Sequence, residues 1–395
     1  MSCLPQHLPP TAVKVAPEAL LAAAQPDAKS HERFREALAG YFGRETHACM
    51  LASSGRTALY WLLEGLKSHL PARNEVVMPA YTCPSLARVV LDLALEPVFA
   101  DLSAQTMTYE TEALEAALGR RTLAVLVVHP FGIPLPVGEV LEQAHAVGAV
   151  VIDDAAQAMG AHWNGKPVGT EGDFGLFSLG PGKPLSTAGG GVVIANDAEY
   201  QALLKGWWAG KPMAGQGIAA LAWLRQVALQ IAFQPSGWWA ATKLGLHRVG
   251  QEETSWGYRL LGLSSTQASM GLQLIPQLDE INRRRRDRAE AILSDSGAWQ
   301  QVRPLAVSPQ AEPIFLRLPL MADSKTQREA LFNDLWAAGI GVGRMYEKTM
   351  LELFPGRKLV GNGAGAERIA RCLFTLPTHD YVQVQDIERM QALLV

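Results

Sequence analysis

"EVVMPAYTCPSLARVVLDLALEPVFADL", residues 75 to 102, switches its hydrophobic pattern twice in a short span. "EVVMPA" is a short β-branched run of the kind that forms a strand. "PSLARVVLDLA" then repeats its apolar residues at helical spacing, and "PVFADL" returns to a strand-like run. The same alternation extends in both directions. Upstream, "RTALYWLLEGLKSHL" sets Leu59, Leu62, Leu63 and Leu66 on one helical face. Downstream, "EALEAALG" leads into the strand "TLAVLVVHP", "VGEVLEQAHAVGA" leads into "AVVIDDAA", and the strand-like "FGLFSLG" and "GGVVIAN" follow. Strands alternating with helices imply an α/β fold with a largely parallel sheet covered on both faces. Such sheets bind ligands at the C-terminal ends of their strands.

The pattern changes near residue 300. "EPIFLRLPLM" and "GIGVGRMYE" read as strands around the helix "KTQREALFNDLWAAGI". "ERIARCLFTLPTH" and "VQDIERMQALL" close the chain with a strand or loop and a helix. The expected division is an N-terminal arm over 1–30, a large domain over 31–290 and a smaller α+β domain over 291–395.

Composition narrows the function. The 395 residues are 48% hydrophobic and 18% charged, with a formal net charge of −3. That describes a folded globular chain with no basic field for nucleic acid. The run Arg283 to Arg286 with Arg288 reads as a solvated helix face, because acids flank it on both sides. The four cysteines, Cys3, Cys49, Cys83 and Cys372, are scattered and form no C-x-x-C pair, so neither a metal site nor a disulfide framework is expected. Prolines near the N-terminus interrupt what a secretory signal would need, which points to the cytoplasm.

Three polar clusters fall at predicted strand or helix ends. Asp153 and Asp154 end "AVVIDD". Lys183 stands alone in "FSLGPGKPLSTAGGG", residues 177 to 191, five positions after Ser178. "SSGRTAL", from Ser53, opens a helix with Gly and hydroxyl residues, and such an opening is a natural anion site. Separately, each cluster has a plain structural explanation: a strand-terminating acid pair, a loop lysine, a helix cap. Together they fit one chemistry. A lysine amine can bond to an aldehyde cofactor. The helix opening holds the cofactor's phosphate, and a carboxylate keeps its pyridine nitrogen protonated.

With these motifs in hand, the chain resembles the DegT/DnrJ/EryC1/StrS family of pyridoxal-phosphate-dependent aminotransferases, of the aspartate-aminotransferase fold type I. The resemblance covers roughly residues 30 to 205 and 260 to 395. It rests on "SSGRTAL", "EVVMPAYTCPSLARVVLDLALEPVFADLS", "VVHPFGIP", "VIDDAAQAMGA", "GDFGLFSLGPGKPLSTAGGGVV", "STQASMGLQLIPQL" and "FTLPTH", all in order. It implies a seven-stranded type of sheet and pyridoxal 5'-phosphate as cofactor. It also implies a role for each matched position. Lys183 would carry the cofactor and move the substrate's proton, and Asp154 would face the pyridine nitrogen. Gln157 would bond the phenolic oxygen. Ser178, Gly55 and Arg56 would hold the phosphate. His129 would sit near the ring, with Asp153 and Asp173 structural.

Three positions depart from the family pattern. Arg56 replaces a threonine, and Cys83 replaces the aromatic residue that stacks on the ring, with Tyr81 projecting the other way. "WGYRLLGLSS" lacks the Asn-x-Arg element that a partner subunit lends to the phosphate, leaving Tyr258 or Arg259 as substitutes.

The implied activity is transfer of an amino group from L-glutamate to a keto-sugar, nucleotide-activated, by a homodimer in polysaccharide or secondary-metabolite biosynthesis. Relatives that dehydrate their sugar carry histidine in place of the lysine, and Lys183 separates this chain from them. The competing readings are an enzyme of the same cofactor acting on a non-sugar or lipid-linked ketone, and a non-catalytic scaffold or sensor. A scaffold has no use for Lys183, Asp154 and Gln157 together.

The segment 204–258 is the least family-like. It holds six of the ten tryptophans: Trp207, Trp208, Trp223, Trp238, Trp239 and Trp256. "GIAALAWLRQVALQIAFQ" reads as a helix ended by Pro235, with Gln226, Gln230 and Gln234 in one polar stripe and Arg225 beside it. Packing against the protein's own domains or a partner copy is one expectation for 217–240. Peripheral membrane contact is the other.

Overall fold

The computed structural model describes residues 7–245 and 257–395. Cys3 and Trp256, singled out above, lie outside these. The large sheet contains β1 (Cys49–Ala52), β2 (Glu75–Pro79), β3 (Glu96–Ala100), β4 (Thr122–Val128), β5 (Val150–Asp154), β6 (Phe174–Ser178), β7 (Gly191–Ala195) and β8 (Lys358–Val360). Their spatial order is β1-β7-β6-β5-β4-β2-β3-β8. All pairings are parallel except those of β7, which runs antiparallel to both β1 and β6.

Alternation along each strand explains why the sheet is covered twice. Val76, Met78 and Ile152 pack on one face with Leu59, Leu62 and Leu66 of the helix Gly55–His69. Their neighbours Val77 and Val151 point to the other face, against Leu114, Val140 and Ala144. The apolar runs are continuous because both faces are buried. The turn of direction at β7 has a consequence for function. A hairpin-like return keeps the connection 179–190, with Lys183, at the C-terminal end of β6, beside the end of β5.

The sheet has eight strands, one more than the seven expected. The additional strand, β8, comes from far down the chain and pairs with β3 through Val98, Phe99 and Ala100. "GIGVGRMYE" is not a strand. Its one pairing is an isolated bridge between Gly343 and Thr375. The second sheet is antiparallel and joins Val302–Pro304, Leu318–Ala322 and Leu373–Leu376.

The arginine run also differs from its reading. In the helix Leu278–Leu293, Arg283 pairs with Glu280 and Asp287, and Arg284 and Arg288 reach Asp380. Arg285 is instead buried, on the same face as Leu278, Ile281, Ala289 and Ile292. It donates to the carbonyls of Leu316 and Ala12, so it ties the N-terminal arm to the second sheet. The arm continues this stapling. Leu8 N–H donates to Gly339, the Pro9 carbonyl lies 2.8 Å from His379 Nε2, and Thr11 Oγ1 donates to Gly182, next to Lys183.

The described part of the least family-like segment contains the helices Gln216–Ala232 and Pro235–Lys243. Pro235 opens the second helix, while the first ends three residues earlier. The glutamine stripe holds only in part: Gln230 bonds the backbone of Val13 and Val15 in the arm and Gln226 is buried, but Gln234 is exposed and lies between the two helices, because the first ends at Ala232. Trp223 donates to Leu20. No described helix is long and apolar enough to cross a membrane.

The helix Gly55–His69, whose N-terminus faces the site, is seated by Gly65. A Cβ there would come within 2.2 Å of the Trp207 ring. Gly65→Ala is therefore expected to destabilise the protein by about 1–3 kcal/mol. Gly40→Ala, with nothing within 4 Å of its Cβ, is expected to be neutral or stabilising by up to about 1 kcal/mol. Thermal unfolding of both variants checks the ranking.

Candidate active site

Asp154 is the last residue of β5 and Ser178 the last of β6. Gly55 is the first residue of the helix Gly55–His69, capped by Ser54 through the Thr57 N–H at 3.1 Å. These ends converge on a cavity of about 390 Å³. All six residues singled out from the sequence line it: Gly55, Arg56, Asp154, Gln157, Ser178 and Lys183.

The end of the cavity at Gly55 and Ser178 is made by close backbone approach. A Cβ on Gly55 would sit 3.2 Å from Ser178 Cβ, and one on Gly191 would sit 2.4 Å from the Ser54 carbonyl. Only glycines leave this cradle open. A helix N-terminus with a serine hydroxyl beside it favours an anion.

Two neighbouring carboxylates have separate environments. Asp153 is fully used: its Oδ1 lies 2.6 Å from His129 Nε2, and its Oδ2 accepts the Gly169 N–H at 2.8 Å. His129 Nδ1 accepts from Leu135 N–H, which leaves Nε2 as the protonated nitrogen facing Asp153. His129 is thus held behind the cavity wall as a positioning group. Asp173 accepts the Val151 N–H and meets His145, so it is also structural. Asp154, buried at 3% exposure, accepts one hydrogen bond, from Ala156 N–H at 3.0 Å. Burial pushes its carboxyl up to about 6, against the Ala156 hydrogen bond and the charges of Lys183 and His129. Burial holds the Lys183 amine below its usual value, and Arg317 adds to that, while Cys83 and Asp154 oppose it.

Gln157 Oε1 accepts the Phe131 N–H at 3.2 Å, leaving its NH₂ as the donor for the cavity it lines. Cys83 lines the cavity where the family has an aromatic residue, with Sγ 3.0 Å from Ser85 Oγ. Tyr81 does not line the cavity itself but a narrow recess beside it, with Cys83, Gln157 and Tyr346, its ring centroid 5.8 Å from that of Tyr346. Arg56 lies over the Tyr258 ring at 5.5 Å, and the Arg259 carbonyl accepts from Ser53 and Thr57. The segment in place of Asn-x-Arg therefore packs on the Ser53–Thr57 helix opening of its own chain. Sequence reasoning missed Tyr346, which from beyond residue 300 lines a narrow recess that shares Cys83, Val128 and Gln157 with the cavity, and left Arg225, on the cavity wall, outside its site list.

Comparison with known proteins agrees with this geometry. The model of the DegT/DnrJ/EryC1/StrS aminotransferase family matches residues 23–394, and the chain belongs to that family. It is 38% identical over 155 residues to UDP-N-acetyl-3-dehydro-alpha-D-glucosamine 3-aminotransferase of Acidithiobacillus ferrooxidans, covering 39% of this chain and 42% of that one. It is 30% identical over 277 residues to L-glutamine:2-deoxy-scyllo-inosose aminotransferase of Streptomyces paromomycinus, covering 68% and 58%. The matched part thus spans about half the length of these relatives. The fold is shared with the aminotransferase TlmJ from Streptoalloteichus hindustanus, at TM-score 0.77, 22% identity and 98% of both chains.

The Asp154 environment gives a pH test on the cofactor-free protein. Its folded pKa lies above the unfolded value of 3.8, so the folded state binds more protons across pH 4 to 6. Its contribution to stability therefore falls as pH rises through that window. Asp154→Asn removes the buried charge and is expected to stabilise the protein at pH 8 by on the order of 1–3 kcal/mol, with no gain near pH 4. Thermal midpoints of both proteins at the two pH values measure this. An equal difference at both would contradict the assignment.

Proposed function

We propose that this chain is a pyridoxal-phosphate-dependent aminotransferase that moves an amino group from an α-amino acid to the ketone of a sugar or sugar-like polyol. The observation that carries the reading is the convergence of Lys183, the buried Asp154 and the Gly55–Ser178 cradle on one cavity. The cofactor fits these residues. Asp154 is a buried carboxylate without a cation at ion-pair distance among the described residues, which suits a protonated pyridine nitrogen. The cradle suits a phosphate.

When bound, pyridoxal phosphate would supply the electron sink for charge developing at the donor's α-carbon. The chain's own residues do the rest. Ser178, Gly55 and Arg56 hold the phosphate. Asp154 keeps a proton at the ring nitrogen, and the Gln157 NH₂ donates toward the phenolic oxygen. Lys183 Nζ moves the proton at the α-carbon, and its depressed pKa keeps more of the amine neutral at working pH. Cys83 offers less cover over the ring than an aromatic side chain would.

The names of the relatives support a keto-sugar acceptor, with a UDP-linked sugar as the first to assay, and support trying L-glutamine beside L-glutamate as donor. We read residues 31–290 as the cofactor-binding domain and 291–395 as the smaller one, which lends β8 to the large sheet. We also read the protein as a homodimer. Leu221, Leu224 and Ile231 form an exposed apolar strip on the helix Gln216–Ala232. Leu221 lines a second cavity together with Arg56 and Arg225, which also line the main one, so the strip reaches the mouth of the site. A partner copy is a better cover for such a strip than a membrane.

Two experiments test this. Reconstituted protein is expected to be yellow, and borohydride should fix the cofactor covalently on Lys183, as read by peptide mapping. Lys183→Ala should keep its fold while transamination falls by roughly 100- to 10,000-fold. Label on any other residue would refute the assignment. Separately, Leu224→Glu with Ile231→Glu is expected to turn a sedimenting dimer into monomer. Liposome binding by the intact protein, lost in this variant, would favour the membrane instead.

A further inference from the structure

The helix Gln216–Ala232 uses two faces for different purposes. Trp223, Gln226 and Gln230 form one: Trp223 donates to the Leu20 carbonyl, Gln230 bonds the backbone of Val13 and Val15, and Gln226 is buried. These contacts anchor the helix on the N-terminal arm. Ile218, Leu221, Ala222 and Arg225 form the other, at the i, i+3, i+4 and i+7 spacing of a single helical face. All four line the second cavity, of about 200 Å³. Three of them are apolar, so Arg225 is the one charged group on that face.

Of the four, Arg225 alone lines the main cavity too. The residues common to both cavities are Ser53, Ser54, Arg56, Ala188, Gly189 and Arg225. Asp154, Gln157 and Lys183 line only the main one, so the two cavities meet at the helix opening. Ser54 bridges to Gly190 there, which makes the helix opening and the glycine run one piece of structure. Among the described residues no carboxylate lines the second cavity, and Asp154 is the only one lining the main cavity. Burial holds the Arg56 guanidinium below its usual value and the like charge of Arg225 adds to that, while Cys83 and Tyr258 oppose it. An anion received by both guanidinium groups offsets their repulsion. The helix N-terminus adds backbone N–H groups and about half a positive charge. Two guanidinium groups and a helix N-terminus match a phosphate monoester, with its charge of about −2, better than a carboxylate.

Resting on the cofactor reading above, we propose that Arg225 is a second cation for the phosphate of the pyridoxal cofactor, acting with Arg56 at the Gly55–Ser178 cradle. The planar fork of a guanidinium suits phosphate oxygens. Both cations come from one chain, Arg56 from the helix opening and Arg225 from the least family-like segment, so no partner copy is needed to bring them there. The helix Gln216–Ala232 thereby takes part in retaining the cofactor, apart from the packing of its other face.

Binding rather than turnover tests this. Cofactor-free protein is titrated with pyridoxal phosphate and, separately, with pyridoxal, which lacks the phosphate, by following absorbance. Arg225→Gln is expected to raise the dissociation constant for pyridoxal phosphate by about 10- to 100-fold. Binding of pyridoxal should stay within about 2-fold of wild type. Arg225→Lys, which keeps the charge and loses the fork, should fall between. ³¹P NMR of the bound cofactor gives a readout that does not depend on pyridoxal. A nearby cation favours the more highly charged phosphate, so protonation should begin at higher pH in Arg225→Gln than in wild type. Arg225 is exposed on an anchored helix, so the fold is expected to hold. Should circular dichroism show that Arg225→Gln does not fold, Arg225→Lys carries the same comparisons.

An unchanged affinity for pyridoxal phosphate, an equal loss for pyridoxal and its phosphate, or an unchanged ³¹P titration would overturn the role of Arg225. Unchanged cofactor affinity together with weakened binding of UDP would assign Arg225 to an acceptor's phosphates and overturn the proposal as well. A wild type that binds neither pyridoxal phosphate nor pyridoxal would instead overturn the cofactor reading, and this inference with it.

Discussion

A carboxylate at the end of a buried strand is the constraint on which the site depends. Asp154 cannot recover in the protein the hydration it loses, because one backbone N–H is its donor and burial pushes its pKa to about 6. Asp153, one residue earlier, faces the other side of the sheet, where His129 and Gly169 satisfy it. The period of the strand thus divides two adjacent acids into a structural one and a chemical one. In the proposed function, the cationic ring of the cofactor would complete the poorly paired one.

The rest of the architecture keeps that carboxylate, the lysine and the cradle within one cavity. The antiparallel β7 returns the lysine loop to the end of β6. Thr11 bonds Gly182 inside that loop, and Arg285 holds Ala12 close by, so the arm, the loop and the second sheet share one set of contacts. Cys83 and Tyr346 show that the side of the site away from the phosphate is assembled across the boundary between the two proposed domains.

The large sheet was legible because each of its central strands is a continuous apolar run bounded by helices of regular period. The site residues were legible where short motifs sit at strand and helix ends, as with Asp154, Ser178 and Gly55. What was missed lies where local pattern carries little. β8 spans Lys358–Val360, too short for a period to show, and exists through pairing with β3. "GIGVGRMYE" has strand-like residues but only the Gly343–Thr375 bridge to pair with. Arg285 looked solvated because its neighbours in sequence are charged, although helical spacing turns it toward Leu278 and Ile292. Tyr346 reaches the recess beside the cavity through tertiary packing alone.

The central claim is that Asp154 is a buried acid completed by the cationic ring of the cofactor. Its titration can be followed directly by carboxyl ¹³C NMR, with Asp154→Asn identifying the signal. Without cofactor the Asp154 carboxyl is expected to titrate near 6. With pyridoxal phosphate bound, it should stay ionised well below that value, because an opposite charge within a few ångströms favours the carboxylate. A midpoint that does not move when the cofactor binds would contradict the account.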